Sequence, residues 1–246
     1  MKIIAVIPAR LEASRFPRKL LQELGDAPVV VQTLRAAKRT ELFYEVWVAT
    51  DSEEIAKTVE AAGAMVFRSQ QEHSCGSDRI AEVVAEMDVD LIINVQGDEP
   101  FIQRESLAAL IDVFQKDQQQ SIDMASLMIP LKNEDEIHNP NVVKVIVDRA
   151  SNALYFSRTP LPYVRNPKVP TTHYRHIGIY AYRKQTLLDF AEHPQTPLEA
   201  AEQIECIRHL EYGKKIRMVV TDKPTVGIDT PEDLVWAQKL WNQSSV

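Results

Sequence analysis

The chain has 246 residues, 45% hydrophobic and 26% charged, with a formal net charge of −7. That balance belongs to an ordinary globular protein and excludes a disordered chain. The length suits one large α/β domain, residues 1–246, with an inserted lobe at about 124–200, better than several small domains. The acidic total argues against nucleic acid as a partner, since neutralising phosphates needs a basic footprint. Two cysteines exclude a disulfide scaffold and fit a reducing compartment.

The first apolar run, Ile3 to Ile7, stops at Pro8. It is too short for a signal peptide, or for a membrane span of roughly 20 apolar residues. No membrane association and a cytoplasmic location are therefore expected. Ile3–Ile7 reads as a buried strand, and Pro28–Lys38 as a helix after a turn at Gly25–Asp26. Val46–Thr50 reads as a second strand, with Asp51–Ser52 capping a helix over Glu53–Ala62. Met65–Phe67, a helix from about Ser77 to Glu86, and a strand Leu91–Val95 continue this βαβ pattern. Beyond residue 120 strands dominate: Met124–Met128, Val142–Val147, Ala153–Phe156 and Ile177–Tyr182. Pro160, Pro162, Pro167 and Pro170 make the stretch between them an extended loop. Helical character returns at Pro197–Glu211, then a strand Ile216–Val220 and a last helix near Pro231 with Thr230 as its cap.

Ligands of open α/β sheets bind beyond the carboxyl ends of the strands, near the point where strand order reverses. Arg10, Asp51 and Asp98 follow three of the expected strands. From Arg10 to Lys19, the cations Arg10, Arg15, Arg18 and Lys19 face one anion, Glu12. Concentrated cations after a buried strand suit a polyanion such as a triphosphate; a solvated charge cluster is the alternative. Neither G-x-G-x-x-G nor G-x-x-x-x-G-K-[ST] is present, which disfavours a dehydrogenase and a P-loop NTPase. Asp98, directly after its strand, is a natural Mg²⁺ ligand beside a triphosphate. On spacing alone Asp229 reads as part of the N-cap region before Pro231, with a metal ligand as the other reading. Arg79 opens a helix whose amino end favours an anion. Arg158, Arg175, His176 and Tyr180 fall on the later strands, where they could receive an acidic substrate; a structural role is the alternative for His176. No G-x-S-x-G elbow is present.

The segments IPARLEASRFPRK, VATDSEEIA, HSCGSDR, NVQGDEP, NPNVVKVIVD, ALYFSR, RHIGIYAYR, PLEAAEQIECIR and VGIDTPEDL run in order from residue 3 to about 235. In that order they resemble the 3-deoxy-manno-octulosonate cytidylyltransferases, the CMP-KDO synthetases. The resemblance implies a three-layer αβα nucleotide-diphospho-sugar transferase-like, Rossmann-like fold with a mixed sheet and a strand-rich inserted lobe serving sugar binding and dimerisation. It implies a homodimer that transfers CMP from CTP to 3-deoxy-D-manno-octulosonate (KDO), with Mg²⁺ as cofactor, for lipopolysaccharide synthesis. Carried over by position, Pro8, Ala9, Arg10, Arg15, Lys19, Ser74, Gly76 and Arg79 would bind the nucleotide. Asp98 and Asp229 would hold the metal and, with Lys19, form the catalytic set. Gln96, Arg158, His176, Tyr180 and Glu205 would face the sugar. Arg18 stands where the family commonly has Gly, Cys75 where Ser is usual, and Cys206 where Gln is expected. The competing functions are a cytidylyltransferase for 8-amino-KDO or an acylneuraminate, or a catalytically silent nucleotide-binding regulator.

Overall fold

The computed structural model describes residues 1–12, 15–71, 73, 75–223 and 225–244. They form two units, residues 1–107 with 225–246 and residues 108–224. In chain order the first unit has strand β1 (Ile3–Ala9), a 3₁₀ turn (Lys19–Leu21), a small β2–β3 ribbon (Glu23–Leu24, Ala27–Pro28) and helix α1 (Val29–Arg39). There follow β4 (Glu45–Thr50), α2 (Glu53–Ala61), β5 (Met65–Arg68), α3 (Gly76–Val84) and β6 (Leu91–Asn94). Helix α4 (Arg104–Lys116) contains the boundary. The second unit then has β7 (Met124–Pro130), α5 (Glu134–His138), β8 (Lys144–Val147), β9 (Ala153–Ser157), β10 (Tyr174–Arg183), α6 (Lys184–Glu192), α7 (Pro197–Glu202), α8 (Cys206–Glu211) and β11 (Ile216–Val220). Helix α9 (Pro231–Ser244) returns to the first unit. No helix of the described residues is long and apolar enough to cross a membrane.

In the first unit the strands run in the order β6-β1-β4-β5, all parallel. Every residue of β1 is buried, as a central parallel strand covered on both faces requires. The chain steps outward from β1 to β4 and β5, then returns to the other side of β1 as β6. Strand order therefore reverses at β1, and the loops leaving β1 and β6 open the crevice where ligands bind in such sheets. The expected strands and helices of this unit are present. Ser52 caps α2 by accepting from the Ile55 N–H at 3.4 Å, and Thr230 caps α9 through the Asp233 N–H at 3.2 Å.

In the second unit β11 pairs parallel with β7, β7 antiparallel with β10, and β10 and β9 each antiparallel with β8. Helices α4 and α6 have no counterpart among the sequence expectations. The single helix expected over Pro197–Glu211 is two, because Gln203 takes the left-handed conformation (φ 54°) and turns the chain between α7 and α8. A buried bidentate pair braces that elbow: Arg208 Nε and Nη2 each donate to the Glu199 carboxylate at 2.7 Å. Aromatic rings line the interior of this unit. His176 meets Phe156 (4.8 Å) and Tyr180 (5.5 Å), and Tyr182 and Phe190 flank His209 at 5.7 and 4.6 Å.

Burial, with Arg208 adding like charge, pulls the His209 pKa down to about 3. Its Nε2 has no hydrogen-bond partner among the described residues. In the unfolded chain a histidine titrates near 6.5, so between about pH 6.5 and 3 the unfolded state binds a proton that the folded state refuses. His209 therefore costs stability increasingly as pH falls through that window. We expect His209→Phe, which keeps the stacked ring, to lose less melting temperature between pH 7 and pH 4 than the parent. Calorimetry at stepped pH checks it, and parallel curves for the two proteins would exclude this role.

Candidate active site

The site of the first unit is built from three loops. The loop after β1 carries the cations and ends in the 3₁₀ turn, which Arg18 enters in the left-handed conformation (φ 57°, ψ 25°). That geometry suits glycine and costs a non-glycine residue about 1–2 kcal/mol. The loop after β6 carries Gln96, Gly97 and Asp98. A Cβ on Gly97 would lie 3.1 Å from both the Leu20 side chain and the Pro8 carbonyl, so only glycine lets these two loops approach this closely. The third segment precedes α9, and its Ile228 N–H donates to the Asp98 carbonyl at 3.0 Å.

The three meet at the Lys19 ammonium. It is ion-paired to Asp98 and donates to Asp229 Oδ1 at 2.8 Å, while Arg15 Nη2 lies 3.1 Å from Asp229 Oδ2. The Lys19 side chain is only 16% exposed. Burial alone would lower its pKa, but the Asp98 and Asp229 carboxylates outweigh that and hold it above the ordinary lysine value. For Asp229 the balance runs the other way: burial pushes it up, and its hydrogen bond to Lys19, that cation's charge and Arg15 bring it below the usual carboxylate range. The Asp229 carboxylate does not cap the helix. That role falls to Thr230, and Asp233 closes the turn by accepting from the Asp229 and Thr230 N–H groups at 3.0 and 2.8 Å. Reading Asp229 as a cap is thereby corrected: its side chain is free for the cluster.

Arg18 turns away from this centre to pair with Glu54 on α2, and Arg10 is exposed. Arg79, buried on α3, donates to the Ala9 carbonyl at 2.8 Å and to Asp51 at 2.6 Å, tying α3 to the ends of β1 and β4. Gly76 begins α3 beside Pro8, whose Cγ would meet a Cβ there at 3.3 Å. Cys75 occupies the N-cap with no side-chain capping bond. Gln96 donates to Asn94 at 3.0 Å. Ser74 lies outside the described residues.

In the second unit, Arg158 spends its guanidinium on backbone carbonyls: Nε on Glu202 (2.7 Å), Nη1 on Pro140 (3.0 Å) and Nη2 on Gln203 (3.2 Å). It thereby ties the end of β9 to the elbow that carries Glu205. Glu202, which the sequence reading passes over, fixes the same junction by accepting from Ser157 Oγ (2.6 Å) and the Arg158 N–H (2.9 Å). Buried Lys144, likewise unremarked in the sequence, donates to three carbonyls, among them Arg158 at 2.5 Å. Nothing in their spacing marks either residue.

His176 is buried, and burial, then Arg175, pull its pKa down to about 3. The Ser126 hydroxyl lies 3.1 and 3.0 Å from the Ile177 and Ile179 carbonyls, at a bulge in β10, and 3.0 Å from His176 Nε2. Burial keeps His176 neutral, and with the Ser126 proton on a carbonyl, the imidazole tautomer that carries its proton on Nε2 donates to Ser126 Oγ. Tyr180 is also buried and shares a hydrogen bond with Cys206, whose thiol is buried and pushed up by burial and by Glu205.

The comparisons give first a class. A family model described as cytidylyltransferase matches residues 4–216. The 3-deoxy-manno-octulosonate cytidylyltransferase of Christiangramia forsetii is 56% identical over 239 residues, 97% of this chain and 96% of that protein. Its namesake in Flavobacterium johnsoniae is 51% identical over 240 residues, 98% of each. The chain belongs to the 3-deoxy-manno-octulosonate cytidylyltransferase family. A solved structure of CMP:2-keto-3-deoxy-manno-octonic acid synthetase complexed with CTP matches it at TM-score 0.93 and 34% identity, covering 99% of this chain and 100% of that one. A 4-diphosphocytidyl-2C-methyl-D-erythritol synthase from Anaerococcus prevotii matches at TM-score 0.64 and 17% identity over 98% of each chain, a likeness of fold alone.

Because Lys19 serves both aspartates, Lys19→Met and Asp98→Asn should not add. Each single change strips a charge-assisted contact, about 1.5–3 kcal/mol, whereas in the double variant the second loss is largely already incurred. Urea denaturation of the four proteins checks this; strict additivity would mean that the contact contributes nothing.

Proposed function

We infer that this chain transfers CMP from CTP to KDO, giving CMP-KDO and pyrophosphate. The observation that carries it is the convergence of Asp98 and Asp229 on Lys19, beside Arg15, where strand order reverses. Relatives named for this activity, 51–56% identical over nearly the whole chain, favour KDO over another acidic sugar and favour an enzyme over a silent regulator.

The anomeric hydroxyl of KDO attacks the α-phosphorus of CTP, and pyrophosphate leaves in line. Negative charge spreads over the phosphoryl oxygens, so catalysis is positioning and electrostatic stabilisation with no covalent intermediate. Arg10, Arg15 and Lys19 hold the triphosphate and neutralise the leaving pyrophosphate. Pro8, Ala9, Gly76 and Arg79 set the backbone against which the nucleotide lies. Gln96, Arg158, His176, Tyr180 and Glu205 are assigned to the sugar acid, Arg158 through its hold on the Glu205 elbow.

Asp98 and Asp229 suit Mg²⁺: two hard carboxylates already converge on one cationic group. Among the described residues no set of three or more acidic, histidine or cysteine side chains is gathered as a metal site. Two carboxylates completed by substrate phosphates is Mg²⁺'s habitual environment. When bound, the ion polarises phosphoryl oxygens and lowers the pKa of a coordinated hydroxyl. The resemblance and the scarcity of cysteine support a cytoplasmic enzyme that supplies lipopolysaccharide synthesis. Exposed apolar side chains at Tyr163, Val164 and Val169, in the proline-rich loop, support a homodimer through the second unit.

Pyrophosphate release from CTP, measured against a panel of sugar acids with and without Mg²⁺, tests the proposal. Turnover is expected with KDO and Mg²⁺ together; robust turnover with neuraminate and none with KDO would overturn it. Asp229→Asn should melt normally yet lose most activity, since Thr230 remains to cap α9. Full activity in that variant would remove Asp229 from the machinery.

A further inference from the structure

Helix α3 reaches the nucleotide side of the site from two positions one turn apart. Arg79 reaches toward β1 and β4; Glu82, three residues on, faces the segment that joins β5 to α3. Glu82 is 18% exposed, and each of its oxygens has a distinct partner in that segment. Oε1 accepts from the Gln70 N–H at 3.1 Å, and Oε2 lies 2.6 Å from Nε2 of His73, itself 9% exposed. A carboxylate accepting from a backbone N–H and a neighbouring ring is a strong, directional brace. The helix beneath it is immobilised by the buried Ser77, Arg79, Ile80, Val83 and Val84. Upstream the segment is anchored by the Ser69 N–H on the Thr50 carbonyl at 3.0 Å. Downstream it runs into Gly76, packed on Pro8.

We propose that Glu82 is a positioning residue for the nucleotide: by holding Gln70 and His73 against α3 it fixes the approach of the chain to Gly76 beside Pro8, and so sets the affinity for CTP. It touches neither substrate nor the reacting atoms. The proposal rests on the assignment of Gly76 and Arg79 to the nucleotide, and it adds a residue outside the nucleotide-binding set. Removing the brace should therefore act on CTP binding and leave the sugar and the chemical step alone.

The experiment uses the full chain with CTP, KDO and Mg²⁺. Glu82→Ala should raise KM for CTP about tenfold, the scale of one or two lost charge-assisted hydrogen bonds, with KM for KDO and kcat at saturating CTP within about twofold of the parent. Glu82→Gln keeps an acceptor for the Gln70 N–H and should recover most of the CTP affinity. His73→Ala cuts the same contact from the loop side without touching α3, and it decides the matter should Glu82→Ala fold poorly. Unchanged KM for CTP in Glu82→Ala, or in His73→Ala where that variant decides, would overturn the proposal. So would a uniform fall in kcat and both KM-dependent rates that tracks melting temperature, since that is a structural role. Failure of the parent to release pyrophosphate from CTP and KDO is a different result, and it removes the proposed function itself.

Discussion

The first unit is organised around one shared cation. Lys19 Nζ joins Asp98, after β6, to Asp229, before α9, so a single ammonium closes three loops that are remote in the chain. Burying a lysine is unfavourable unless its charge is met, and here two carboxylates more than meet it. The local peculiarities of the region follow from that requirement. Arg18 adopts a left-handed backbone because the chain must turn sharply to present Lys19 inward. Gly97 is glycine because Leu20 and the Pro8 carbonyl come within 3.1 Å of where a Cβ would stand. The Ile228 N–H bonds the Asp98 carbonyl, fixing in the backbone the same approach that the side chains make.

The basic loop therefore has a division of labour that its composition conceals. Lys19 and Arg15 face the aspartates, Arg18 leaves to pair with Glu54, and Arg10 stays exposed. The Arg18–Glu54 pair joins two half-exposed side chains, and such pairs contribute about 1 kcal/mol or less. That is the same order as the cost of the left-handed backbone at Arg18.

Much of the first unit was legible because long apolar runs such as Ile3–Ile7 and Leu91–Val95 can only be buried strands between turns. Helix α4 was equally legible in principle, with Leu107, Leu110, Ile111 and Phe114 all buried at helical spacing. The break at Gln203 was not legible, since glutamine carries no turn signal and the kink is held by tertiary contacts from Arg158 and Glu202. In the site, Lys19 and Asp98 were singled out by position after their strands, and the fold brings the two together. Asp229 was ambiguous because it stands in the cap region of D-T-P-E-D; Thr230, read as the cap from the sequence, takes that role in the fold. His176 and Tyr180 were placed on the right strand, but alternation along a strand does not reveal that both rings stack within an aromatic interior.

That interior limits what its own side chains can offer electrostatically. Its buried groups are neutral at pH 7: His176 is uncharged, and Tyr180 and Cys206 keep their protons because burial disfavours their anions. The Arg158 guanidinium is charged, but its donors already serve three carbonyls. What these groups supply is shape and precise placement of the elbow that carries Glu205. The concentrated charge lies in the first unit, where Lys19, Arg15, Asp98 and Asp229 converge, and CMP transfer from CTP develops its charge on phosphoryl oxygens. Fixed donors and cations held in advance do most for such a reaction, because they need no reorganisation as the phosphoryl group passes from one oxygen to another.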